Sequence, residues 1–111
     1  MIDRNRFTEQ AWNAIALSTQ AANERGHNYV GTEHLLVGLL MEGEGVAARV
    51  LEANDVKAEK VKELISQLIF PNQNVGTIGE TVYTPGAVRV LNQSYREAVR
   101  FKAPLIGTEH L

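Results

Sequence analysis

The sequence predicts an all-α protein built from two pseudo-symmetric four-helix repeats, of which the second is incomplete. The motif Gly-Thr-Glu-His-Leu at residues 31–35 returns unchanged at 107–111, which is 76 residues later, and Phe7-Thr8 keeps the same offset to Tyr83-Thr84. Apolar residues recur with helical spacing through most of the chain, and no segment sustains the two-residue alternation of a strand. Since a repeat unit usually cannot bury its apolar face alone, the duplication predicts the architecture.

The first repeat is expected to span residues 1–70 and to open with two helices. Thr8 is a suitable N-cap for the first helix, whose apolar face contains Trp12, and Gly26 ends it. Thr32 is predicted to N-cap the second helix, which is rich in leucine and so should be buried. Glu33 falls in its first turn, where a carboxylate complements the positive helix end.

Two further helices complete the predicted repeat. The third should end near residues 54–55 and face inward through Val46, Ala47, Val50 and Leu51. The fourth has the clearest i, i+3, i+4, i+7 spacing, in Val61, Leu64, Ile65, Leu68 and Ile69, and Pro71 should stop it.

A polar linker at residues 71–80 is predicted to separate this unit from the start of the second repeat at 81–111. Thr84 and Pro85 have the N-cap and first-helical-position pattern. The fifth helix should end at 103–104, and a sixth should open at 107–108. The apolar stripe of the fifth helix consists of Val88, Leu91, Tyr95, Ala98 and Val99.

Composition excludes several classes of protein. A net charge of −2 gives no support for binding nucleic acid or an acidic membrane, and short helices without a basic recognition helix argue against a helix-turn-helix DNA binder. The chain has no cysteine, no run of roughly 20 apolar residues and no catalytic or Walker motif, so we expect a cytoplasmic binding domain rather than an enzyme.

His34 and His110 are interpreted as packed or capping residues. A loop separates His27 from His34, so a helical metal-ligand pair is not expected.

The duplicated turn allows two interpretations. Thr, Glu and Gly at a helix start are adequately explained by capping alone. However, Thr8 and Thr84 each lie 25 residues before the motif glutamate of their own repeat. If the paired helices pack antiparallel or at a steep crossing, we expect each threonine to approach the next helix N-terminus. A hydroxyl, backbone N–H groups and a carboxylate would then share a pocket. Such a pocket suits a group with both anionic and cationic parts.

The stretches at residues 6–9, 26–36 and 42–51 resemble the N-terminal repeat domain of Clp ATPases, most closely the ClpC type, and Tyr83-Thr84-Pro85 with residues 106–111 resembles its second repeat. The resemblance implies a domain that recognises adaptors and tagged substrates for a hexameric unfoldase feeding the ClpP peptidase. It also implies that ATP binds to downstream modules, with no cofactor in this fragment. The residues it implies for phosphoarginine binding are Thr8, Thr32 and Glu33 in one pocket and Thr84, Thr108 and Glu109 in the other.

Two points were left open by the sequence. Lys102-Ala103 replaces Gly26-His27 before the second motif, so the second pocket is expected to be weaker or absent. A stand-alone repeat protein that modulates a Clp machine is the alternative function, and Walker motifs beyond Leu111 would exclude it. The fifth-helix stripe is also expected to expose apolar surface, with either mobility after about Lys102 or self-association.

Overall fold

The computed structural model describes residues 3–68 and 82–111. The predicted linker and the ends of the fourth helix at Ile69 and Pro71 lie outside these ranges. The elements in chain order are a 3₁₀ turn Arg4–Arg6, α1 Glu9–Glu24, α2 Thr32–Glu42, α3 Val46–Ala53, α4 Ala58–Leu68, α5 Pro85–Arg100 and a 3₁₀ turn Thr108–His110. In the described ranges the only β-type pairing is two isolated bridges, so the all-α prediction is confirmed. None of the described helices is long and apolar enough to cross a membrane.

Matching caps show how the duplication directs local structure. The side chains of Thr8 and Thr84 each accept a hydrogen bond of 3.1 Å from a backbone N–H three residues on, as predicted. After the C-terminus of α1, Gly26 has φ 70°, and after the C-terminus of α5, Lys102 has φ 56°. These left-handed residues occupy equivalent positions, and the second ends α5 at Arg100, earlier than the predicted 103–104.

Helices α1 and α2 form a close antiparallel hairpin. Gly38 of α2 lies against the carbonyl oxygen of Ala14 and against Ser18, in the middle of α1. The end of α2 reaches the beginning of α1, where Glu42 lies near Glu9. The start of α2 is therefore at the opposite end of the hairpin from Thr8, about 24 Å along a helix of 16 residues.

The two repeats are joined by reciprocal parallel bridges, Phe7 with Ile106 and Val30 with Tyr83. The Thr8 N–H donates to the Ile106 carbonyl at 2.9 Å, and the Thr84 N–H donates to the Val30 carbonyl at 3.0 Å. In each repeat, the residue that precedes the first N-cap threonine (Phe7 or Tyr83) therefore pairs with the residue that precedes the Gly-Thr-Glu-His-Leu motif of the other repeat (Ile106 or Val30). Single bridges leave no alternating pattern in a sequence, so neither was predicted.

Helix α3 differs from its predicted orientation. Ala48 is its buried residue, whereas Val46 and Val50 are 50% and 54% exposed. The reason is that the N-terminus of α3 is held by the second repeat: the Ala47 N–H donates to Thr108 Oγ1 at 3.2 Å. That contact orients α3 so that Ala48 faces the interior and Val46 and Val50 face the solvent.

Helices α4 and α5 also bury only part of their predicted stripes. Ile65 is buried in α4 while Leu64 is exposed, and α5 buries Leu91 and Ala98. The exposed members of the α5 stripe are Val88, Tyr95 and Val99. The expected exposure of apolar surface on α5 is therefore present, and self-association stays a prediction.

Candidate ligand-binding site

The structure separates two residues that the sequence had placed in one pocket. Thr8 begins α1, and Glu33 lies at the start of α2, at the other end of the α1–α2 hairpin. Thr8 instead lies beside Ile106, next to the second motif, and Thr84 lies beside Val30, next to the first. The structure does not bring Thr8 to Glu33, because the antiparallel hairpin carries the N-terminus of α2 away from that of α1. Thr84 and Glu109 are likewise at opposite ends of α5.

The residues that meet at the first motif come from both repeats. A Cβ placed on Gly86 would lie 3.7 Å from Thr32 Cγ2, 3.8 Å from Arg89 Nη2 and 3.9 Å from Thr84 Oγ1. Gly86 therefore lies among these three side chains at the start of α2. We call Thr32, Glu33, Thr84, Gly86 and Arg89 the α2 site.

The motif glutamates fold back over the glycines that precede them. A Cβ on Gly31 would collide with the Glu33 carboxylate, and a Cβ on Gly107 would collide with the Glu109 carboxylate in the same way. Glu33 is half-buried and Glu109 is exposed. The repeated glycine therefore makes room for a carboxylate close to the backbone of the turn.

The cap of α2 is not Thr32 as predicted. Gly31 is the N-cap, and Thr32 is the first helical residue with an exposed side chain. His34 Nδ1 accepts the Gly31 N–H at 2.9 Å, and the His34 and Leu35 N–H groups donate to the Gly31 carbonyl at 3.1 Å. The capping interpretation of His34 is confirmed, and helix geometry leaves the first N–H groups of α2 directed outward.

The second motif builds a different surface. His110 Nδ1 accepts the Gly107 N–H at 2.8 Å, which repeats the capping pattern. Yet Thr108 is 3% exposed and its hydroxyl is bonded to α3, so the predicted ligand residue supports the fold. The helix here is a single 3₁₀ turn of three residues, and Asn13 takes the position equivalent to Arg89. We call residues 107–110 the Gly107 turn.

A buried histidine pair lies directly beneath the α2 site. His27 Nδ1 is 2.7 Å from His34 Nε2, and the two side chains are 2% and 0% exposed. The intervening loop, which argued against a helical ligand pair, folds back and brings the rings into contact. No group of three or more residues suited to a metal occurs in the described residues. Sequence spacing offered no indication of this pair.

The fold and its duplicated turn define a helical repeat domain, and comparison with known proteins specifies the kind. Residues 6–111 match the sequence pattern of the Clp repeat (R) N-terminal domain, and the chain belongs to that family. It is 41% identical over 107 residues to the negative regulator of genetic competence ClpC/MecB of Bacillus subtilis, and 40% identical over 110 residues to the chaperone protein ClpB of Oceanobacillus iheyensis. Each alignment covers 96% of this chain and 13% of the relative.

Solved structures agree on the fold. The N-terminal domain of the chaperone ClpD from Arabidopsis thaliana superposes with a TM-score of 0.78 at 22% identity, covering 98% of this chain and 74% of that one. The N-terminal domain of a ClpV1 ATPase from E. coli gives 0.72 at 20% identity, covering 96% and 64%. The chain therefore corresponds to a regulatory N-terminal domain of Clp ATPases and spans about one eighth of the length of its curated relatives.

Proposed function

We propose that this chain is the substrate- and adaptor-recognition domain of a ClpC-like protein unfoldase and that it binds phosphoarginine-tagged proteins at the α2 site. The observation that carries the proposal is the composite site itself, in which Thr84 and Arg89 of one repeat lie with Thr32 of the other around Gly86, and Glu33 follows Thr32 at the start of α2. Because the chain belongs to this family, we propose that the parent protein also has ATP-binding modules, binds adaptors and transfers substrates to ClpP.

The α2 site offers donors for a phosphoryl group. Thr84 Oγ1 already accepts the Ala87 N–H, so its own hydrogen is free to point outward to a ligand oxygen. The first N–H groups of α2 and the Arg89 guanidinium supply further positive charge. Together these groups favour an anion at the helix start.

Glu33 supplies the complementary part of the recognition. Phosphoarginine has a phosphoryl anion attached to a guanidinium nitrogen, so the remaining N–H groups can donate to a carboxylate close by. Unmodified arginine would lose the phosphoryl contacts. Phosphoserine would bring an anion toward Glu33 but has no guanidinium N–H groups that could donate to this carboxylate. The arrangement of charges in the site therefore discriminates among these ligands.

We propose that the Gly107 turn binds phosphoarginine more weakly. Thr108 is committed to α3, and Asn13 replaces the arginine. Thr8 and Glu109 are the residues left to contact a ligand there. The ranking of the two motifs is the same as the one expected from the sequence, but each site now takes its first threonine from the other repeat.

Titration calorimetry with free phosphoarginine tests the proposal. Glu33→Ala and Thr84→Ala should each weaken binding at least about tenfold, and the double variant should lose less than the sum of the two free energies because the residues share one ligand. Thr8→Ala and Glu109→Ala are the matched controls and should leave the tighter site intact. Equal affinity for phosphoserine, or a loss in Thr8→Ala that equals the loss in Glu33→Ala, would contradict the assignment.

A further inference from the structure

A surface cleft of about 610 Å³ lies between the 3₁₀ turn Arg4–Arg6 and α5, and we call it the α5 cleft. Three of the residues that line it, Phe7, Leu91 and Ile106, are at most 9% exposed and belong to one core cluster. Tyr95, which is 46% exposed, lines the cleft as well. Its volume falls within the roughly 300–1,000 Å³ of ligand pockets, and it brings apolar groups of the core within reach of a ligand.

Two guanidinium groups line the same cleft. Arg6 Cζ lies 4.8 Å from the centre of the Tyr95 ring, and Arg6 Nε lies 4.0 Å from Asp3 Oδ2 in an exposed pair of little strength. The Asp3 carboxylate also accepts the Asn5 N–H at 3.0 Å. Arg96 forms no hydrogen bond or ion pair with any residue that the structure describes. The α5 cleft therefore combines apolar surface with positive charge that the described part of the chain leaves uncompensated.

The first repeat shows that the fold does not require these arginines. The offset of 76 residues relates the three buried residues of the cleft to three other apolar residues, which are Tyr83, Ile15 and Val30. Val82 stands in the place of Arg6, and Gln20 stands in the place of Arg96. Packing explains why apolar residues occur at both places, but it does not explain why two cations occur at only one of them.

The cleft also lies in the positively charged part of an acidic chain. Residues 3–8 and 82–111 together carry six basic and three acidic side chains, although the net charge of the whole chain is −2. Charges distributed in this way attract an acidic partner toward the α5 cleft and disfavour a basic one.

We propose that the α5 cleft is a docking site for an acidic segment of a partner protein that inserts one large apolar side chain. This side chain packs against the three buried residues of the cleft, and the carboxylates that flank it pair with Arg6 and Arg96. None of the five residues of the α2 site lines the cleft, so the proposal does not rest on phosphoarginine binding there.

A short peptide with blocked ends, in which glutamates flank a central phenylalanine, is the probe. In nuclear magnetic resonance of the labelled chain, the amides of Asn92, Tyr95 and Arg96 should shift on titration, while the Glu33 amide of the α2 site should not. Replacing the phenylalanine by alanine should weaken binding at least about tenfold, because most of the apolar contact is lost. Equal affinity of the two peptides, or shifts confined to the α2 site, would overturn the proposal.

The substitution Arg96→Glu tests the charge of the cleft. It should weaken binding of the phenylalanine peptide about five- to tenfold, because an attractive charge becomes a repulsive one. The melting temperature should not change, since Arg96 is exposed and has no partner among the described residues. Arg49→Glu, at an exposed position of α3 outside the cleft, is the matched control for net charge and should weaken binding by less than about twofold. Equal losses in the two variants would contradict a specific site.

Competition experiments distinguish the proposed occupant from others. Displacement of the peptide by a single-stranded oligonucleotide would assign the cleft to nucleic acid and overturn the proposal. Val99→Lys, which is expected to suppress self-association, should keep full affinity for the peptide. Loss of binding in that variant would show that a second copy is needed, and it would also overturn the proposal. Free phosphoarginine that saturates the α2 site should leave the peptide bound. Peptide binding by a chain without affinity for phosphoarginine would refute the proposed function alone and support the docking site.

Discussion

At Gly31 a side chain is excluded by a neighbour rather than by the backbone. Its φ of −103° and ψ of −179° are accessible to any residue, but a Cβ there would collide with the Glu33 carboxylate. Because that carboxylate ends a flexible side chain, we expect Gly31→Ala to cost at most about 1 kcal/mol of stability, mainly through the poorer N-cap. The displaced carboxylate should nevertheless weaken phosphoarginine binding. Thermal melts and calorimetry separate the two effects, and Gly107→Ala is the control that should spare the tighter site.

Substitution of the two motif threonines should affect the free energy of unfolding differently. Thr108 is buried and its hydroxyl caps α3, so Thr108→Val should cost about 1–2 kcal/mol by leaving the Ala47 N–H without its acceptor. Thr32 is exposed and is not the N-cap, so Thr32→Val should change stability by less than about 0.5 kcal/mol. Urea denaturation of both variants makes the comparison. A larger loss at Thr32 would show that its side chain has a structural partner.

At the scale of elements, the α1–α2 hairpin depends on the absence of a side chain at Gly38. A Cβ there would collide with the Ala14 carbonyl and crowd the Ser18 backbone, neither of which can rotate away. Gly38→Ala should therefore destabilise by about 3 kcal/mol, although alanine favours a helix by about 1 kcal/mol. Gly86→Ala is the matched control: its Cβ would meet only ordinary contacts, and stability should change by less than about 1 kcal/mol. Similar melting temperatures for the two variants would refute this account of the packing.

At the scale of the whole molecule, the outer face of α5 has the character of a contact surface. Val99 is 57% exposed, Tyr95 is 46% exposed and Phe101, just after the helix, is 65% exposed. We expect this face to associate with a second copy, since exposed apolar side chains on one face of a helix favour association. Sedimentation should show weight-average mass rising with concentration, and Val99→Lys should suppress the rise while Val50→Lys on α3 should not. A concentration-independent monomer would contradict the prediction.

The sequence by itself determined the helices, the N-caps at Thr8 and Thr84 and the existence of two related units. These features follow from local periodicity, from side-chain capping and from a motif repeated at a constant offset, all of which act over a few residues. The resemblance also pointed to the family to which the chain belongs. The predicted site residues stay predictions, and the structure groups them differently from the sequence interpretation.

Only the tertiary structure decided which residues share a site. Thr8 and Glu33 belong to the same repeat, yet they lie at opposite ends of α1, which is about 24 Å long because a helix advances 1.5 Å per residue. The reciprocal bridges then bring Thr84 to Val30 and Thr8 to Ile106. The histidine contact beneath the α2 site and the commitment of Thr108 to α3 likewise depend on how segments that are not helical neighbours fold onto one another, and no periodic pattern in the sequence records such contacts.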